Sequence, residues 1–128
     1  MKVNNKLRVL ASAALLTLLS ACAEPPPVDE HGQPIARSGE QVYRIACASC
    51  HAGGRAGAPR VGEANSAHWQ QRYNELGWQG LMGHTIEGWR RMPPRGNCFN
   101  CSDEELADSL AYILSLSDVA RQKGTPEG

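Results

Sequence analysis

Cys47-Ala48-Ser49-Cys50-His51 is the stretch that most constrains this chain. Residues three apart on a helical turn share one side, so the two thiols can reach the two vinyl groups of a single porphyrin. The imidazole of His51 follows directly and is brought up to the iron. C-x-x-C-H with this order is the covalent haem attachment pattern. A chain that carries it must fold around one haem c, joined to Cys47 and Cys50 and ligated by His51. A thioredoxin-like dithiol needs a strand before the motif, and none is written there. Zinc shared by Cys47/Cys50 and Cys98/Cys101 is the other rival. Zinc modules separate their pairs by about 15–20 residues, far less than the distance from Cys50 to Cys98.

A second axial ligand has six candidates: Met1, His31, His68, Met82, His84 and Met92. Met1 is lost with an export signal, and His31 lies in a proline-rich spacer. His68 falls off the apolar face of its helix, and His84 on the polar side of its own. Met82 sits centrally in an apolar stripe and reads as core filling. Met92 differs. In Arg91-Met92-Pro93-Pro94 the prolines bar a helix and push Met92 towards extended backbone. A stiff loop presenting a thioether suits an axial ligand, and His/Met ligation raises the reduction potential over two histidines.

The first 21 residues read as a signal. Lys2, Lys6 and Arg8 precede the apolar run from Val9 to Leu19, which is too short to span a bilayer, and Leu19-Ser20-Ala21-Cys22 closes it. That tetrapeptide resembles the lipobox of bacterial lipoproteins, which makes Cys22 a lipid anchor; multiple acylation holds a protein stably at a membrane. The count agrees, since five cysteines form two C-x-x-C pairs and leave Cys22 over. Loss of Lys2, Lys6 and Arg8 takes 13 basic residues to 10 against 13 acidic, a net charge of −3. No basic excess remains for nucleic acid. The expected location is the periplasmic face of a bacterial membrane, the outer membrane favoured because Ala23 rather than Asp follows Cys22.

Residues 22–37 carry Pro25, Pro26, Pro27 and Pro34 and read as a semi-rigid spacer, reaching roughly 45 Å if extended as polyproline. Residues 38–117 read as an all-α domain of four helices, and 118–128 as a disordered tail. Ser38-Gly39-Glu40-Gln41 and Ser102-Asp103-Glu104-Glu105 are capping boxes opening the first and last helices. Trp69, Tyr73 and Leu76 space a second helix that stops at Gly77; Trp78, Leu81, Met82, Ile86 and Trp89 stripe a third. Leu106, Leu110, Ile113 and Leu114 stripe the fourth. A domain of about 80 residues with so few large apolar side chains is marginal alone, and a buried haem supplies the missing apolar volume.

Cys-Ala-Ser-Cys-His, Gly57-Ala58-Pro59-Arg60 and the run from Met92 through Cys98-Phe99-Asn100-Cys101 to Leu106 together resemble the class I c-type cytochromes, and within them the cytochrome c-five group. The resemblance covers roughly residues 38 to 117. It implies a class I fold, His51 and Met92 as iron ligands, and a Cys98–Cys101 disulfide. It also implies that the Pro59 carbonyl accepts a hydrogen bond from His51, and that Gly39 and Tyr43 pack on an aromatic of the last helix, Tyr112. The short Cys98–Cys101 loop gains little chain entropy, so the bridge's expected role is to hold the Met92 loop to the last helix.

With both axial positions filled by protein the iron has no open site, and the expected role is one-electron transfer rather than catalysis. The expected partners are a membrane-associated redox donor and acceptor, met by a monomer. The alternative is a sensor or peroxidase-like protein in which Met92 dissociates. Arg55, Arg60, Arg90, Arg91 and Arg95 flank the haem-binding segments and are the candidate docking ring for an acidic partner.

Overall fold

The computed structural model describes residues 27–120 except 29 and 33. The signal, Cys22 and residues 121–128 lie outside the described residues. The chain divides into a leading unit, Met1–Ile35, and a following one, Ala36–Gly128. In the leading unit Val28 and Pro34 pair as an isolated antiparallel bridge, and the Ile35 amide donates to the Pro27 carbonyl at 2.9 Å. The second half of the spacer therefore turns back on itself instead of running as an extended rod. The local bridge satisfies backbone groups that polyproline geometry leaves to water.

The following unit is all-α: no strand occurs among its described residues, and no described helix is long and apolar enough to cross a membrane. It begins with α1 (Gly39–Val42), a wider π-helical turn (Tyr43–Cys47) and α2 (Ala48–His51), which run on without a break. Short 3₁₀ turns at Arg55–Gly57 and Glu63–Asn65 lead to α3 (Ser66–Glu87); another at Pro94–Asn97 precedes α4 (Asp103–Leu116). Both capping boxes form. The Ser38 and Ser102 hydroxyls accept from the Gln41 and Glu105 amides, and those side chains accept in return from the serine amides.

Packing follows the stripes. Leu106, Leu110, Ile113 and Leu114 are buried on one face of α4, each worth roughly 1.5–3 kcal/mol against exposure. Leu110, Ile113 and Leu114 meet Trp69, Tyr73, Leu81 and Met82 of α3 in one cluster, while Leu106 joins Val42, Cys98 and Cys101 in a second. Met82 is thus core, as its position in the stripe implied. The first helix crosses α4 at Gly39, where any Cβ would collide with the Asp108 carbonyl. Tyr43 and Tyr112 lie beside this crossing with ring centroids 5.6 Å apart.

The second and third expected helices are one continuous element interrupted at Gly77, where φ is 65° and ψ −176°. Trp89 departs from expectation. It does not continue the apolar face of the third helix but stands beyond its end, 44% exposed. Gly88 at φ 85° stops the helix, and Trp89 turns into the loop that carries Met92. The folded unit also reaches past its expected limits. Arg37 is bound to Glu105, and Val119 and Ala120 are hydrogen-bonded back to Leu114 and Gln70.

Candidate haem site

His51 closes α2 and is 8% exposed. Its Nδ1 lies 2.8 Å from the Pro59 carbonyl oxygen. A carbonyl only accepts, so Nδ1 carries the proton and donates, which leaves the Nε2 lone pair for a metal. The segment after Pro59 is tied to the same helix end: the Val61 amide donates to the His51 carbonyl at 3.0 Å. The Trp69 ring stands 6.0 Å from the imidazole, centre to centre.

Cys47 and Cys50 are both half-buried and are not bridged to each other. Cys47 sits 3.4 Å from the Ser109 hydroxyl of α4. Burial pushes its thiol pKa up, against the opposing effect of that hydroxyl contact. Cys98 and Cys101 are joined in a disulfide, so neither offers a thiolate to zinc. The residues present therefore fit a covalent haem: two free thiols on one turn and an imidazole whose proton sits on Nδ1, leaving Nε2 free to bind iron.

The Met92 loop is built from both ends. Trp89 and Met92 exchange backbone hydrogen bonds of 3.0 and 2.8 Å around a turn in which Arg90 takes φ 53°. A Cβ at Gly88 would come within 2.8 Å of the Met92 carbonyl and 2.9 Å of the Pro94 nitrogen. The His84 ring stacks flat on Trp89, 4.3 Å between centres and 9° between planes. On the far side the Gly96 amide donates to Pro93 and the Cys98 amide to Arg95. Met92 itself is half-buried.

The five flanking arginines do not share one environment. Arg95 is committed to the loop, bonding the Cys101 carbonyl at 2.7 Å and pairing with Asp103 at 2.8 Å. That takes it out of the expected docking ring and makes it a brace between the Met92 loop and α4. Arg55, Arg60, Arg90 and Arg91 are exposed and enter none of the ion pairs among the described residues. The Arg90 guanidinium lies 5.3 Å over the Trp89 ring.

Sequence reasoning missed three contacts. Ser109 meets Cys47, the Trp69 indole N–H donates to the Arg60 carbonyl at 2.8 Å, and Arg37 reaches Glu105 with three bonds of 2.7–2.9 Å. The Arg37 guanidinium holds the Glu105 carboxyl down to about 2, against the smaller opposing effect of burial, and is itself pushed up by the same bond. Only Ser109 left a trace in the sequence, as a small polar residue within the apolar stripe of the last helix.

Residues 34–113 match the family described as cytochrome c oxidase, cbb3-type, subunit III. Cytochrome c5 of Azotobacter vinelandii is 39% identical over 82 residues, covering 63% of this chain and 96% of that one. Cytochrome c-555 of Chlorobaculum tepidum is 31% identical over 86 residues, covering 64% and 77%. A cytochrome c solved in an electron transfer complex with nitrite reductase superposes with a TM-score of 0.56 at 30% identity, over 71% of this chain and 99% of that one. The free Cys-x-x-Cys pair, the oriented histidine and these relatives agree: the chain belongs to the class I c-type cytochromes, as a relative of cytochrome c5, and is a small all-α electron carrier with one covalent haem.

Proposed function

We propose that this cytochrome is a lipid-tethered carrier with His51 and Met92 as its two iron ligands, exchanging single electrons between membrane-associated redox proteins in the bacterial periplasm. Haem c supplies reversible one-electron chemistry at iron. The chain's own residues decide the rest. Cys47 and Cys50 hold the group, Pro59 keeps the His51 proton on Nδ1, and the Pro93-Pro94 loop presents Met92. The Cys98–Cys101 bridge and Arg95 join that loop to α4. The observation that carries the reading is the His51 Nδ1–H bond to the Pro59 carbonyl, which commits the imidazole to one metal-binding nitrogen.

Cys22 anchors the mature N-terminus, and the spacer carries the monomeric domain away from the membrane. Arg55, Arg60, Arg90 and Arg91 attract an acidic face on the partner. Arg95, already neutralised by Asp103, takes no part. The test is electron exchange with membranes carrying the natural donor or acceptor, followed by stopped flow at increasing salt. The rate should fall as salt rises, since screening at 0.1 M acts over about 10 Å. Arg90→Glu with Arg91→Glu should slow association with little change in spectrum, because rim charges act on encounter. A second-order rate indifferent to salt and to both substitutions contradicts electrostatic docking.

A further inference from the structure

The segment from Pro59 to Gly62 lies outside any helix, yet each of its four residues is held by a hydrogen bond from elsewhere. The Pro59 carbonyl accepts from His51 Nδ1 at 2.8 Å and the Arg60 carbonyl from the Trp69 indole at 2.8 Å. The Val61 amide donates to the His51 carbonyl at 3.0 Å, and the Gly62 amide to the Ser117 hydroxyl at 3.1 Å. Trp69 belongs to α3 and Ser117 caps the end of α4. Both are buried, 5% and 0% exposed. A backbone with no ladder of its own takes its position from such external partners. The carbonyl that orients His51 is therefore set by α3 and α4 acting one and three residues downstream.

We infer that Trp69 and Ser117 are positioning residues for the axial histidine: through Arg60 and Gly62 they fix the Pro59 carbonyl, and so set the strength of the His51 Nδ1–H bond and with it the reduction potential. The inference rests on the reading that His51 ligates the iron. A strong Nδ1–H···O bond makes the imidazole a more basic ligand and favours the oxidised iron. Loosening the Pro59 carbonyl weakens that bond and favours reduction. The Trp69 ring contributes separately by packing near the imidazole, which Phe retains and a hydrogen bond does not require.

The test compares Trp69→Phe, Ser117→Ala and Tyr73→Phe in the haem-loaded protein. Tyr73 is buried in the same cluster but touches none of these four bonds, so it reports core damage alone. Trp69→Phe should shift the potential upward and make the His51 Nδ1 proton of the reduced protein exchange about tenfold faster by NMR, as expected for one lost hydrogen bond. Ser117→Ala should move both readouts the same way by less, and Tyr73→Phe neither. Loss of stability without a shift in potential or exchange would leave Trp69 a core residue only and overturn the inference. If Trp69→Phe fails to mature, Ser117→Ala decides alone, and an unchanged potential there is equally fatal. A wild-type spectrum lacking a low-spin six-coordinate iron would instead refute the ligand assignment beneath it.

Discussion

Glu105 closes the capping box of α4 and at the same time takes both oxygens' worth of bonds from Arg37. The drop of its pKa from 4.5 to about 2 corresponds to about 3 kcal/mol of linkage. The folded value is the depressed one, so this stabilisation is complete above pH 4.5 and is lost as pH falls towards 2. Urea unfolding should therefore weaken across that window, and Glu105→Gln should flatten the dependence while lowering stability at pH 7 by at most about 3 kcal/mol. An unchanged pH profile in the variant contradicts the assignment. The Ser102–Glu105 half of this arrangement is legible in four consecutive residues. Arg37 is not, because it stands 68 positions away and nothing local encodes that meeting. The same limit hid Trp69 and Arg60, whereas Cys47, Cys50 and His51 announce themselves because covalent attachment needs adjacent residues.

Among the elements, periodicity read the helices well and their ends less so. The burial of Leu106, Leu110, Ile113 and Leu114 and the break at Gly77 both follow from spacing. Trp89 misleads because it falls in register with Ile86, yet the positive φ of Gly88 ends the helix first. The π-helical turn that ends at the first haem cysteine, Cys47, carries no periodic mark at all. In the Met92 loop the Cys98–Cys101 bridge closes a short ring, worth about 2 kcal/mol in the chain-entropy account. Cys98→Ser with Cys101→Ser should keep the haem and its spectrum and lower stability by that amount in denaturant titration. Arg95, which bonds the Cys101 carbonyl and pairs with Asp103, should hold the loop in place without the bridge. Two free thiols in the untreated mature protein would contradict the bridge.

For the molecule as a whole, the proposed order of signal, lipid attachment, spacer and haem domain would keep a redox centre near a membrane surface. The spacer turn between Val28 and Pro34 shortens the reach that a straight polyproline rod would have. Proline content marks a stiff segment but cannot reveal a local return of the backbone. Cys22→Ser should move the cytochrome from the membrane fraction to the soluble fraction, or leave it unprocessed, because the spacer carries no apolar anchor of its own. A signal-cleaved Cys22→Ser protein that stays with membranes would remove the lipid from the account. In the proposed haem site His51 and Met92 would together leave the iron no open position. Carbon monoxide added to the reduced protein as isolated tests it directly, read in the visible spectrum. The wild type should not bind, and Met92→Ala, which keeps the thioethers, should bind readily. Wild-type protein that binds as readily as the variant would contradict the closed site and with it the assignment of a simple electron carrier.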